Sequence, residues 1–250
     1  WQRQILFIKG TLASDASYFL FRDTVTDSGQ WMMGPSQPRE PTMWSMWTLS
    51  EKVGTREESR DEASPSDLPG DRMTPARELA GDRFTSVGQF GVDVDYYVAL
   101  PQDTPRATMR WGYVEDQQRE NQDLLHLQRT DEGAYYVAFF PRRRQEPAPV
   151  FETLGDGTVI KTSGEFGTDY GFLSAEDTGV DAENARFRET AASVQDRQDG
   201  LVLTLGASGE VYFGAYGLVA DNAVSTLFAD GKVTISISRD RQESQQVELA

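Results

Sequence analysis

Short segments in which apolar and polar residues alternate run along most of this chain, and they constrain its fold more than any other feature. In Phe90–Leu100 (FGVDVDYYVAL) every second residue is apolar, while Asp93 and Asp95 fall on the opposite face. A period of two places successive side chains on opposite faces of a β-strand. We therefore predict a strand with an apolar core face and a solvated polar face.

Similar runs between turn residues predict further strands. Asp156-Gly157 and Asp230-Gly231 are tight-turn dipeptides, and the second predicts a hairpin between VSTLFA and KVTISIS. GASGE, residues 206–210, is interpreted as another hairpin turn. The predicted strands are Met43–Leu49, Leu124–Arg129, Ala134–Phe140, Thr158–Thr162, Tyr170–Ser174, Ala185–Val194, Leu201–Leu205, Val211–Tyr216, Ala223–Ala229 and Lys232–Ser238.

This pattern of many short strands predicts an all-β fold, namely an antiparallel β-sandwich. A basic, proline-rich connector, Pro141–Pro149, divides the chain into residues 1–149 and 150–250. The second portion is either a smaller second β unit or a continuation of the same sandwich. Gly54–Gly81 is polar, charged and interrupted by prolines, and it is too long for a hairpin turn. We predict a long insertion at 54–81.

Composition excludes several classes of partner and site. The net charge of −16 argues against nucleic acid and anionic membranes, because phosphate binding needs positive charge. No apolar stretch is long enough to span a membrane. The chain has no cysteine, which excludes disulfides and thiolate zinc sites. A cysteine-free β protein rich in Trp and Tyr fits bacterial secretion at least as well as the cytosol, and we predict an extracellular or periplasmic location.

Three adjacent arginines, Arg142, Arg143 and Arg144, form a dense basic run in this acidic chain. Guanidinium groups match carboxylate and sulfate oxygens, so the run is a candidate contact for an acidic polysaccharide. The alternative is a boundary loop that forms salt bridges with the acidic surface. We predict that the run is exposed and that replacing all three arginines by glutamine leaves thermal stability nearly unchanged.

Aromatic residues in polar or turn-like sequence are the other candidates for carbohydrate binding. They are Trp31, Trp111 and Tyr113. Exposed aromatic rings can stack on sugar rings. Trp44 and Trp47 lie in mid-strand and are predicted to be core residues.

Catalytic and metal-binding patterns are weak. The single histidine, His126, lies between two leucines and is interpreted as structural. One histidine cannot form a multi-histidine zinc site. Asp93 and Asp95 can in principle bind Ca²⁺ or divide acid and base roles, but a solvated strand face is the favoured interpretation. No phosphate-binding loop or nucleophile elbow occurs, so we predict no cofactor, no metal and no catalytic residue in this chain.

The opening of the chain contains the strand-like segments WQRQILFIKG, YFLFRDTV and PTMWSMWTLSEKVG. Arg3–Lys9 and Tyr18–Asp23 resemble neighbouring strands in the β-domain of heparinase II/III-like polysaccharide lyases, and the resemblance covers mainly residues 1–55. The H-x-H and His-Asn motifs of that family do not occur here, so the resemblance transfers no catalytic residue. Because the chain begins in mid-strand at Trp1, we expect it to be the back portion of a longer protein.

The resemblance implies a non-catalytic β-sandwich portion of a polysaccharide-lyase-like, carbohydrate-associated protein. Its expected partners are an acidic polysaccharide or the missing catalytic portion of the same protein, which in the family removes the C5 proton of a uronic acid. The alternative is a structural subunit of an extracellular filament or surface assembly, because an exposed leading strand can complete the sheet of a neighbour. A third hypothesis is a free carbohydrate-binding module.

Overall fold

The structure is a computed structural model that describes residues 1–12, 15–26, 42–48, 50–55, 72–73, 77–88, 90–102, 104–115, 118–129, 132–237 and 243–248. Within these ranges the regular elements are β-strands, with a short 3₁₀ turn at Gly155–Gly157 and no α-helix. The predicted all-β, sandwich-like fold class is confirmed.

The first eleven strands are β1 (Gln2–Ile8), β2 (Tyr18–Val25), β3 (Thr42–Thr48), β4 (Ser50–Thr55), β5 (Arg72–Met73), β6 (Arg77–Glu78), β7 (Arg83–Gly88), β8 (Val92–Leu100), β9 (Arg106–Glu115), β10 (Gln118–Arg129) and β11 (Gly133–Arg143). The next ten are β12 (Val150–Leu154), β13 (Val159–Gly164), β14 (Gly167–Ala182), β15 (Ala185–Arg197), β16 (Gly200–Leu205), β17 (Gly209–Phe213), β18 (Tyr216–Ala220), β19 (Val224–Ala229), β20 (Lys232–Ile237) and β21 (Glu243–Glu248).

These strands form three sheets. A six-stranded sheet has the order β1-β2-β11-β8-β7-β4, and a five-stranded sheet has the order β3-β10-β9-β5, with β6 also paired to β9. The ten-stranded sheet runs β12-β13-β14-β15-β16-β19-β20-β21, and the β17–β18 hairpin branches from β15. The short connections between sequence neighbours are those that antiparallel pairing allows.

The chain divides into two compact units. The first comprises Trp1–Arg3 and Asp23–Pro147, and the second comprises Gln4–Arg22 and Ala148–Ala250. The change of unit after Pro147 lies within the predicted connector. Gln4–Arg22 belongs to the second unit, which differs from the predicted division into 1–149 and 150–250. That part of the chain is distant in sequence from the rest of its unit, so local sequence patterns do not reveal it.

The core of the second unit is formed largely by the ten-stranded sheet. Phe172 of β14 and Phe187 of β15 are fully buried and stack with their ring centroids 5.2 Å apart. Burial of one such side chain contributes about 1.5–3 kcal/mol. The β1–β2 hairpin adds four further buried residues to this unit: Leu6, Ile8, Tyr18 and Leu20.

Gly171 of β14 marks the place where the hairpin packs on the sheet. A Cβ atom at this position would collide with Cδ1 of Leu20 and lie 3.6 Å from Cδ2 of Leu6. We expect Gly171→Ala to destabilise the second unit by about 1–3 kcal/mol, because the leucines or the strand must shift. Thermal unfolding followed by circular dichroism checks this.

Gly179→Ala is the matched control on the same strand. Its added Cβ would lie 2.8 Å from Nη1 of Arg188, the far end of an exposed, flexible side chain. An equal loss of stability in the Gly171 and Gly179 variants would contradict the close packing of the hairpin on β14.

Strand β8 departs from the predicted alternation: its two faces are reversed at the start, and the residues from Asp95 to Ala99 are all buried. Val92 is exposed, whereas Asp93 and Asp95 are both buried. The prediction of a solvated Asp93/Asp95 face is therefore wrong. The reason is the neighbouring strand β11, which places Arg142 directly opposite Asp93 in the ladder. Buried carboxylates require such a partner.

The Asp230-Gly231 hairpin is confirmed. It joins β19 to β20, with Ala229 paired to Lys232. Both turn residues have positive φ, 51° at Asp230 and 70° at Gly231. This is the combination that a two-residue type I′ turn requires, and Asp-Gly adopts it readily.

The hairpin turn predicted at GASGE is wrong. β16 pairs with the second half of β15 and β17 pairs with its first half, so the two strands follow one another along the same neighbour. The predicted strand Val211–Tyr216 likewise spans the end of β17, a turn and the start of β18. Turn residues mark where a strand is interrupted, but the partner of the next strand depends on distant sequence.

The predicted insertion at 54–81 lies largely outside the described residues. Within it, the two-residue strands β5 and β6 both pair with β9. The described part of the chain contains no helix that is long and apolar enough to cross a membrane.

Candidate functional site

The three arginines predicted to bind an acidic glycan lie at the end of β11 and just beyond it. The Arg142 side chain is only 10% exposed. Its Nε donates to Oδ2 of Asp95 at 2.6 Å, and its Nη1 lies 3.8 Å from Oδ2 of Asp93. The prediction that the whole run is exposed is therefore wrong at Arg142, because β8 buries two carboxylates against it.

Arg144 completes this group. Its Nε donates to Oδ1 of Asp93 at 3.2 Å. The Thr85 hydroxyl donates to Oδ1 of Asp95 at 2.7 Å. We call Thr85, Asp93, Asp95, Arg142 and Arg144 the Arg142 cluster. The cluster connects β7, β8 and the end of β11. Because its two guanidinium groups balance the charge of its two carboxylates, it leaves little net positive charge to attract an external anion.

Arg143 differs from its neighbours in the run. Its side chain is 72% exposed, and its Nε lies 3.9 Å from Oε1 of Glu146. A surface pair of this kind contributes about 0–1 kcal/mol. Arg143 is thus the member of the run whose guanidinium remains largely accessible to solvent.

The aromatic candidates are placed only in part. Trp31 lies outside the described residues. Trp111 and Tyr113 lie two residues apart on β9, opposite Gln122 and Glu120 of β10. Their role as sugar contacts stays a prediction.

His126 lies on β10, with Ala107 of β9 and Ser45 of β3 as its ladder neighbours. The residue is partly buried. Burial lowers the pKa of its imidazole, which favours the neutral form near neutral pH. These features fit the structural interpretation of His126.

An exposed apolar face on the β1–β2 hairpin was not predicted. Ile5, Phe7 and Phe19 are exposed, and Phe21 is partly buried beside them. The Phe7 and Phe19 rings stack at 4.5 Å with an interplanar angle of 16°, and Phe19 lies 6.0 Å from Phe21. We call these four residues the hairpin face. A clustered apolar surface of this kind marks a contact site more often than isolated apolar residues do.

The sequence contained a signal for the hairpin face. Residues 5–8 of β1 (Ile-Leu-Phe-Ile) are apolar without interruption, so both faces of the strand carry apolar side chains. Leu6 and Ile8 are buried in the second unit, and the other face, with Ile5 and Phe7, remains open. The sequence alone does not tell which face is covered.

An exposed basic side chain, Lys9, follows β1, the strand that carries Ile5 and Phe7. Residues 1–14 contain Arg3 and Lys9 and no acidic residue, in a chain of net charge −16. Arg3 is held by Asp23 through hydrogen bonds of 2.7 and 2.8 Å. Lys9 is exposed, and its backbone carbonyl accepts a hydrogen bond of 3.2 Å from Gln195. The backbone of Lys9 is thus held by a hydrogen bond, while its ammonium group is accessible to solvent.

A second buried ion pair lies in the second unit. Arg197 donates to both oxygens of Asp169, from Nε at 3.0 Å and from Nη2 at 2.6 Å. The Tyr18 hydroxyl donates to the same carboxylate at 3.2 Å. Burial raises the pKa of Asp169, and the hydrogen bonds from Arg197 oppose that rise. The group connects the β1–β2 hairpin to β14 and β15 and is structural in character.

No three His, Cys, Asp or Glu side chains of the described residues lie close enough together to hold a metal ion. Comparisons with protein-family models, with curated proteins and with solved structures found no match to this chain.

Proposed function

We propose that this chain is a non-catalytic β-domain of a carbohydrate-associated protein and that it binds an acidic polysaccharide through the hairpin face. The observation that supports this most directly is the exposed stack of Phe7 and Phe19, with the exposed Lys9 two residues after Phe7. The proposed setting is an extracellular or periplasmic, polysaccharide-lyase-like protein whose catalytic portion lies elsewhere.

Two features of the hairpin face suit such a ligand. The apolar C–H face of a sugar ring can pack on an aromatic ring, and Phe7 and Phe19 present accessible aromatic surface. Lys9 follows Ile5 and Phe7 in the same alternation along the chain. Its ammonium group can attract a uronate carboxylate or a sulfate, an interaction that salt weakens.

The proposed site replaces the one predicted at Arg142–Arg144. The charges of Arg142 and Arg144 are matched by Asp93 and Asp95 within the Arg142 cluster. Releasing Arg142 to a ligand would leave the buried Asp95 without its counter-ion, which is unfavourable.

We expect the double variant Phe7→Ala/Phe19→Ala to lose most of its retention on an immobilised polyuronate such as alginate at low salt. Both side chains are partly exposed, so the loss of stability is expected to be small, on the order of 1 kcal/mol for the lost ring pair. Affinity chromatography at rising salt concentration measures the retention, and thermal unfolding measures the stability.

Phe90→Ala is the control, because Phe90 is 94% exposed and belongs to the first unit, two residues before β8, whereas the hairpin face belongs to the second unit. Its retention should equal that of the unaltered chain. Equal retention of the double variant and this control would rule out the hairpin face as the glycan site.

A structural subunit that assembles by strand addition is the second candidate. The observation that favours it is the position of β1 at the end of its sheet among the described strands. An edge strand with exposed apolar side chains is a template for pairing with another chain. Size-exclusion chromatography with light scattering distinguishes the two: polymers that disappear in the double variant favour assembly, and a monomer that binds the polyuronate favours the binding domain.

A further inference from the structure

A buried carboxyl group, that of Glu189, lies where β15 changes its partners. β15 pairs with β17 up to Arg188 and with β16 from Ala192 onwards. On its other side the register with β14 shifts between Leu173 and Thr178, and Glu189 faces Thr178. Glu189 therefore lies between interruptions in both neighbouring ladders.

The connection from β16 to β17, Gly206–Gly209, covers this position. The Gly206 N–H donates to the Ala191 carbonyl at 2.7 Å, and a Cβ at Gly209 would lie 2.6 Å from Cβ of Glu189. Glu189 itself is only 1% exposed, and neither of its carboxyl oxygens has a hydrogen-bond partner among the described residues. An ionised carboxylate is strongly unfavourable in such surroundings.

The charged groups around Glu189 do not compensate for its burial. Asp177 on β14 adds a repelling charge. Arg188, the preceding residue, points to the opposite face of β15, and Glu210 of β17 is paired opposite Arg188. The covering connection consists of glycine, alanine and serine and carries no charged side chain.

Burial is the main cause that raises the pKa of Glu189 to about 8. The backbone N–H groups of Ala191, Gly206 and Ala207 oppose this rise, but they do not reach hydrogen-bonding geometry with the carboxyl oxygens. The carboxyl is therefore protonated in the closed structure at neutral pH.

We propose that Glu189 is a proton-dependent latch: its neutral carboxyl keeps the Gly206–Gly209 connection closed over β15, and its ionisation in the opened state favours local release of the β17–β18 hairpin. β17 is held on β15 through only four paired residues, Ala185–Arg188. On opening, the carboxyl gives its proton to solvent, and on closing it takes one up.

The direction of the pH effect follows from the two protonation states. In the opened state the carboxyl is solvated and titrates near 4.5, whereas in the closed state it titrates near 8. Between these values opening releases one proton, so the opening constant rises about tenfold per pH unit. The free energy of opening is therefore highest below about pH 4.5, falls as the pH rises, and reaches a constant lower value above about pH 8.

Amide hydrogen exchange measured from about pH 5.5 to about pH 9, corrected for intrinsic exchange rates, tests this proposal. We expect peptides of β17 and β18 to lose about 100-fold in protection between about pH 5.5 and about pH 7.5 and to level off above about pH 8. Peptides of β13, which is not adjacent to the latch, should show a clearly smaller dependence. In Glu189→Gln the protection of β17 and β18 should change by no more than about twofold, because no proton is released on opening.

Two further variants complete the test. In Glu210→Gln, a variant of a residue on β17 itself, the protection of β17 and β18 should keep its full dependence on pH. Asp177→Asn should make protection level off at a lower pH, because it removes a charge that raises the pKa of Glu189. A full pH dependence in Glu189→Gln, an equal dependence in β13, or an unchanged levelling pH in Asp177→Asn would each overturn the proposal. The Asp177 variant decides the question if Glu189→Gln does not fold.

Discussion

Arg142→Gln is expected to lower the free energy of unfolding of the first unit by about 3–5 kcal/mol, because it leaves the buried Asp95 without its counter-ion and leaves Asp93 with Arg144 alone. Asp93 and Asp95 are each about 5% exposed. The second unit contains no tryptophan, so tryptophan fluorescence during denaturation with urea does not report on it and follows the first unit.

Arg143→Gln is the control for this prediction. It removes the same charge from the adjacent residue, but that side chain is 72% exposed, and the expected change is within about 0.5 kcal/mol. Arg142→Lys keeps the charge but loses the planar fork that reaches Asp95 through two nitrogens, and should lie between the two. Coincident unfolding curves for the Arg142→Gln and Arg143→Gln variants would show that the cluster does not stabilise the unit.

This prediction also separates the two interpretations of the arginine run. An exposed anion-binding loop would tolerate replacement of all three arginines by glutamine. The geometry of the Arg142 cluster instead predicts that the triple variant loses more stability than Arg142→Gln alone, since it also removes Arg144, the guanidinium that is bonded to the buried Asp93.

Arg197→Gln should destabilise the second unit by about 3–5 kcal/mol at neutral pH. The change leaves the fully buried Asp169 without the two hydrogen bonds that Arg197 donates. Since the second unit contains no tryptophan, amide hydrogen exchange of its peptides is the suitable measurement.

The loss caused by Arg197→Gln should depend on pH. Burial raises the pKa of Asp169, and removing Arg197 removes the main opposing cause. A carboxyl whose folded pKa lies above its unfolded value contributes stability at low pH and loses it as the pH rises. The difference between the variant and the unaltered chain should therefore be smaller at about pH 5 than at about pH 8.

Arg186→Gln provides the comparison on the same strand. Arg186 is exposed and lies 4.2 Å from the ring centroid of Tyr212, a contact expected to contribute only about 0.5–1 kcal/mol. A pH-independent loss in Arg197→Gln, no larger than that of Arg186→Gln, would contradict a structural role for the buried pair.

The strand content of this chain could be predicted because it depends on local chemistry. Period-two alternation and the Asp-Gly turns act over a few residues, and they located β8, β15 and the β19–β20 hairpin. The sequence also carried a signal for the unusual position of Glu189, although we did not predict it. Glu189 follows Ala185 and Phe187 on the inward face of β15, so a charged residue occupies a position where the pattern predicts an apolar one.

What the alternation cannot specify is which face a neighbour will cover, because that depends on residues far away in the chain. Asp93 and Asp95 are buried only because Arg142, 47 residues beyond Asp95, joins the adjacent strand. Ile5 and Phe7 remain open because the second unit covers the opposite face of the same strand. By itself the sequence determined an antiparallel β protein and the positions of several of its turns. The tertiary structure alone decided which charges are neutralised, which apolar face stays exposed and where a carboxyl is buried without a partner. The reason is that burial and charge pairing depend on contacts between segments that are distant in the chain.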